Sequence, residues 1–188
     1  MKGQKYKRSI WAGGLLLRDG CILMVLNCWD DAEPLALQNG HSDGTPLAFW
    51  NGHSDGTVWG LPGGYSPPGE PLTETVRREL REEAGLDVDV GALAYVAESF
   101  RPPGEGGIRT HALAFVFCLQ SSNEPLGPQD PDGWVQEIRW VPVAELESYL
   151  EPVRRRGWRV FWEPLLDWVA NANAGQPGGR FYNYAETP

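Results

Sequence analysis

This chain is short of cysteine, of basic charge and of long apolar runs, and each shortage removes a class of protein. Cys21, Cys28 and Cys118 are its three cysteines. They are odd in number and lack metal-type spacing, so neither a disulfide framework nor a zinc site is expected. They read as reduced thiols of a cytoplasmic protein, with Cys118 in the core. Sixteen Lys and Arg face 25 Asp and Glu, a net charge of −9. That balance excludes a nucleic-acid binder that works by neutralising phosphates, so no nucleic-acid polymer is expected as a partner. A small phosphorylated ligand stays open, because a bound metal can bring the missing positive charge. The longest apolar stretches fall well short of the roughly 20 residues a membrane span needs, so no membrane partner is expected. The basic start, Met1 to Arg8, leads into a strand-like run rather than a cleavable leader.

What is present fits a globular domain. Of the 188 residues, 41% are hydrophobic, enough for one full-sized core. Nine tryptophans are many for this length. Most are expected in the core or at its rim, with one or two left to stack on a base. Strand patterns cover Ser9 to Leu17, Cys21 to Leu26, Val58 to Leu61, Val88 to Phe100, His111 to Gln120 and Trp134 to Val141. Pro142 opens a short helix to about Leu150, and a final helix runs near Pro164 to Ala172. Strands dominate with scattered helices, so the class is α+β. Residues 1–172 are expected to form a single domain and residues 173–188 a C-terminal tail.

One segment repeats. Pro34 to Thr45 and Pro46 to Thr57 agree at ten of twelve positions. Two copies are too few for a solenoid, and their Asn-Gly and Asp-Gly pairs are turn signals. The duplicated 34–57 segment therefore reads as a loop insertion, a lid or an oligomer contact. His41, Asp43, His53 and Asp55 are better explained as copied turn residues than as metal ligands.

The chemistry concentrates in the next stretch. Leu72, Val76 and Leu80 are spaced by four, which puts them on one helix face. Pro71 suits the first turn and Gly85 the stop. At about 100° per residue, Glu79, Glu82 and Glu83 fall in an arc of roughly 100° that abuts the apolar stripe. Like charges at this spacing destabilise a helix, and partial burial raises the cost. A hard divalent cation among them would reverse its sign. Arg78, one turn before Glu82, can hold that side chain in place.

The whole string resembles the Nudix box, Gly-x5-Glu-x7-Arg-Glu-U-x-Glu-Glu-x-Gly-U with U a bulky aliphatic. It matches at Gly64, Glu70, Arg78, Glu79, Leu80, Glu82, Glu83, Gly85 and Leu86. Chance agreement at nine positions is on the order of one in a billion per window. The resemblance implies a mixed sheet sandwiched between helices, and Mg²⁺, or Mn²⁺, as cofactor. It implies metal-dependent hydrolysis of a phosphoanhydride in a nucleoside diphosphate linked to another moiety. Glu82 and Glu83 would be direct ligands, and Glu79 either a third ligand or the general base. The Gly63 carbonyl would add a backbone ligand, and Arg78 would orient a glutamate. Glu70 would steady the loop–helix junction.

Relatives often use a further acid outside the box; Glu98, Glu105, Asp132 and Glu137 are the candidates, each with a surface charge as its bland explanation. Arg101 and Arg109 flank a loop and could grip phosphate. The expected partner is a small nucleotide, and since many relatives pair, a homodimer is left open. Pro102, sixteen residues past Leu86, resembles the pattern of ADP-ribose hydrolases. Nucleoside di- or triphosphates are nearly as well supported as substrates. Two non-hydrolytic alternatives use the same fold: a ligand-binding sensor and an isoprenoid diphosphate isomerase. The intact box favours hydrolysis.

Overall fold

The computed structural model describes residues 5–28, 57–100, 107–131, 133–155, 157–173 and 179–184. The repeat apart from Thr57 lies outside the described residues, as do Arg101, Pro102, Glu105 and Asp132.

Among the described residues eight strands form one mixed sheet. They are β1 (Lys5–Arg18), β2 (Cys21–Cys28), β3 (Thr57–Gly60), β4 (Gly63–Tyr65), β5 (Asp89–Phe100), β6 (Ile108–Gln120), β7 (Val135–Pro142) and β8 (Arg180–Tyr184). The order is β3-β2-β1-β6-β5-β8, with β4 on β1 and β7 on β2. Pairs β1–β6 and β5–β8 are parallel; the others are antiparallel.

Helix α1 (Leu72–Ala84) covers one face, and α2 (Leu146–Arg155) and α3 (Arg159–Asn173) pack on the other. Strand alternation sorts neighbouring residues between the two layers. Leu16 and Leu23 join Val76, Leu80 and Ala84 beneath α1, whereas Leu15 and Met24 join Leu146, Leu150, Leu165 and Trp168. Because β1 is covered on both sides, its run from Ala12 to Leu16 is continuously buried.

Helix α1 forms where its spacing predicts. Pro71 stands at the N-cap in an extended conformation, and its carbonyl accepts from the Glu74 and Thr75 N–H groups. Gly85 ends the helix at φ 63°, a left-handed conformation that favours glycine, and the Leu86 N–H closes on the Leu80 carbonyl.

The structure departs from the sequence reading at several ends. Strand β1 begins at Lys5, because its polar start pairs residue by residue with β6 from Ile108 onward. The Gly63–Gly64 turn is also a short strand, in register with Gly13 and Ala12. Helix α2 runs on to Arg155, and α3 starts at Arg159. Within the expected tail, Arg180–Tyr184 form β8 instead. Asp167 of α3 accepts hydrogen bonds from the Tyr182 hydroxyl and from Arg180 Nη1, the latter at 2.7 Å, and this pins β8 along the edge of β5.

Candidate active site

The acids gather where β4 passes the last turns of α1. Two glycines make the approach close. A Cβ on Gly63, which has φ +147°, would lie 2.4 Å from Gly13 Cα. One on Gly64 would lie 2.2–2.6 Å from the carboxylate atoms of Glu79. The box glycine is therefore the space in which the Glu79 carboxylate sits.

Glu83 is 8% exposed, and its Oε2 accepts from the Gly63 N–H at 2.8 Å. The resemblance assigns the Gly63 carbonyl to a metal; what the structure displays is the Gly63 N–H holding a metal-ligand candidate. Arg78 lies at the centre of the remaining carboxylates. Its Nη1 is 2.7 Å from Glu79 Oε1 and 3.1 Å from Glu82 Oε2. Its Nε and Nη2 reach the two oxygens of Glu70, each at 3.2 Å, and Nη2 also donates to the Tyr65 carbonyl. Glu70 in turn accepts from the Thr75 hydroxyl at 2.7 Å, and so ties the loop to the helix.

The carboxylates divide electrostatically. The hydrogen bond from Arg78 holds Glu70 below the usual carboxylate range. Burial pushes Glu79 up to about 7 even though Arg78 opposes the shift. Burial, and then the charge of Glu79, raises Glu83 well above that range. Asp130 adds to the repulsion felt by both.

Asp130 is the acid that sequence reasoning missed. It lies in the Pro/Gly-rich stretch before β7, where no periodicity marks it. Its Oδ2 accepts from the Trp134 and Val135 N–H groups at 2.7 and 2.9 Å. The same loop is docked on the end of α1, with Gln129 N–H on the Glu82 carbonyl and Leu126 N–H on the Ala84 carbonyl. These backbone bonds carry Asp130 to the acidic cluster.

Of the other candidates, Glu98, Glu137 and Arg109 are described, and none joins this cluster. Glu98 sits 2.6 Å from His111 Nε2 and accepts from Asn183 Nδ2 at 2.6 Å. Glu137 is paired with Arg139 on an exposed face. Neither of these, nor Arg109, lines the large cavity beside the cluster. That cavity, of about 480 Å³, runs from Glu79, Glu83 and Asp130 across the sheet to the start of α3. Trp11, Trp59, Trp134 and Trp158 are in its walls.

Among the described residues no three acidic, His or Cys side chains form a ready-made metal cage. The donor set nonetheless suits a hard divalent cation. It consists of oxygens alone, Glu83 is buried and Glu79 partly so, and their raised proton affinities mark negative charge in need of a counter-charge.

The fold and this constellation match one family. The NUDIX domain model matches residues 25–161, and the chain belongs to the Nudix hydrolase family. The chain is 30% identical over 111 residues to "Putative mutator protein MutT4" of Mycobacterium tuberculosis, covering 58% of this chain and 43% of that protein. It is 30% identical over 139 residues to an RNA pyrophosphohydrolase of Pectobacterium carotovorum, covering 64% of this chain and 78% of the relative. Among solved structures, a NUDIX hydrolase of Nitrosomonas europaea superposes with a TM-score of 0.58 at 19% identity, covering 95% of this chain and 79% of that one. A MutT protein of Bacillus halodurans gives 0.58 at 17% identity, covering 96% and 91%. These structural likenesses are ones of fold. No helix among the described residues is long and apolar enough to cross a membrane.

Proposed function

We propose that the chain is a metal-dependent pyrophosphohydrolase that cleaves the phosphoanhydride of a nucleoside diphosphate joined to another group, with nucleoside di- and triphosphates as the neighbouring substrate class. One observation supports this above the rest: a partly buried, over-charged carboxylate cluster opens directly into a tryptophan-walled cavity. The cluster suits a cation and its phosphates, and the cavity suits a base.

Glu82 and Glu83 would hold Mg²⁺ or Mn²⁺, with Glu79 as third ligand or general base and the Gly63 carbonyl as a backbone ligand. When bound, such an ion supplies charge relief on the phosphates and a more acidic water. The protein's own part is placement. Gly63 fixes Glu83, and Arg78 holds Glu79 and Glu82 against Glu70. In the metal-free protein burial raises the proton affinity of Glu79 to near neutrality; a bound cation would lower it and leave Glu79 ionised, as a ligand or as a base for water. Asp130 stands beside Glu79 and Glu83 as the acid from outside the box.

The test is a panel of ADP-ribose, nucleoside diphosphate sugars and nucleoside triphosphates, with and without Mg²⁺, products separated by chromatography. Release of a mononucleotide or phosphate only with metal is the expected result. Equal turnover in excess chelator would overturn the reading.

A further inference from the structure

The cavity contains a polar group that nothing in the acidic cluster uses. Ser99, in β5, is 9% exposed and lines the cavity, and its Oγ, itself shielded from solvent, has no hydrogen-bond partner among the described residues. On its β8 side Ser99 pairs with Tyr184, and on the cavity side its neighbours are apolar. Ala97, Ala112 and Ala114 form a floor of small side chains, and Trp11, Trp158 and Phe161 stand around them. A buried hydroxyl without a partner is destabilising, because water solvates it in the unfolded chain. The hydroxyl makes no hydrogen bond among the described residues, and an alanine would fit beside Ala97 and Ala112.

Its position relative to the acids is fixed by the strand register. Gly13 pairs with Gly63 on one side and Val116 on the other, while Ser9 pairs with Ala112, which pairs with Ser99. Ser99 is thus four residues along the strands from the Gly63 row and three strands across. At about 3.3 Å per residue and 4.8 Å per strand, the two are on the order of 19 Å apart in a flat sheet. A cation and its phosphates fill the near part of that span, and a nucleoside is the right length for the rest.

The geometry points to Ser99 as a base-reading residue: its hydroxyl hydrogen-bonds the polar edge of a nucleobase lying over the alanine floor between the aromatic walls. This rests on the reading of the acidic end as the phosphate site. A heteroaromatic ring is the ligand chemistry that fits, since it offers flat faces to tryptophan and a hydrogen-bonding edge to one hydroxyl. Because the Oγ is shielded as it stands, a rotation of χ1 between staggered wells is required to present the hydroxyl to such a ring.

The experiment titrates wild type and Ser99→Ala with AMP, GMP and UMP without metal, read by tryptophan fluorescence, and with inorganic phosphate as the arm lacking a base. Wild type should prefer one base. Ser99→Ala should weaken that base roughly five- to tenfold and leave the other bases and phosphate within about twofold. The free variant should melt at the wild-type temperature or above it, because the unpaired hydroxyl is gone. Ser99→Cys, close in size and a weak hydrogen-bonding group, should bind like the alanine variant. An equal change for all ligands, no change for any, or no base preference in wild type would overturn the proposal. Base selectivity that depends on Ser99, in a protein with no turnover, would sink the hydrolase reading and leave this one standing. Metal-dependent turnover without base selectivity would do the reverse.

Discussion

The two ends of the cavity solve opposite problems. At the acidic end, charge is packed more densely than the surroundings can neutralise: among the described residues Arg78 is the one cation paired with Glu70, Glu79 and Glu82, while Glu83 accepts from the Gly63 N–H. At the aromatic end the cavity lining is nearly all apolar, and the Ser99 hydroxyl lacks a partner among the described residues. Both ends are locally unfavourable in the free protein, one from excess like charge and one from an unmet hydrogen bond. Each is the kind of defect a ligand relieves. The acidic end suits an ion and phosphates, and the other a flat ring.

The largest effect should come from the acidic end. Glu82→Gln is expected to lower kcat by roughly a hundredfold or more, with folding intact, since it removes a proposed ligand. Near-normal turnover would show that Glu82 has no such role. Gly64→Ala sharpens the contrast. Its nearest clashes are with the flexible end of Glu79, so kcat should fall at least about tenfold while the melting temperature barely moves. Steady-state kinetics beside thermal melts would check this, and a collapse of stability would argue that the glycine serves the backbone instead.

The pH dependence comes next. Glu79 and Glu83 have proton affinities raised above the unfolded value, so the folded state holds more protons than the unfolded one. Their contribution to stability is complete below the ordinary carboxylate pKa and is lost as pH rises through about 7 and beyond. Metal-free protein should therefore melt lower at pH 8 than at pH 6, and Mg²⁺ should narrow the gap. Glu83→Gln should flatten the same profile. Glu70 and Asp167, both held low, act in the opposite sense and only in acid. The smallest effect lies far from the acids. Tyr182→Phe removes the hydroxyl bond to Asp167 and should cost about 1 kcal/mol in urea unfolding, with kcat unchanged.

How much was legible follows the range of each interaction. Helix α1, its glycine stop and the acids beside its apolar stripe could be read because helix periodicity is local. Wheel angles place Glu83 against the stripe of Val76 and Leu80, and all three are buried. The strand β8 could not be read, because five residues after a glycine-rich stretch become a strand only through parallel pairing with β5, about 85 residues away. Asp130 escaped for a similar reason. Nothing in its neighbourhood announces an acid with a task, and the bonds from Leu126 and Gln129 to the end of α1 bring it to the site.

The amino-acid sequence alone determined the family, the helix and the acids it carries, since each depends on residues a few positions apart whose spacing fixes their direction. The folded chain decided the partners: which glycine makes room for which carboxylate, which loop adds an acid, and which serine is left facing the alanines. Those are meetings between distant segments, and sheet register and helix packing arrange them through contacts that no short window of residues contains.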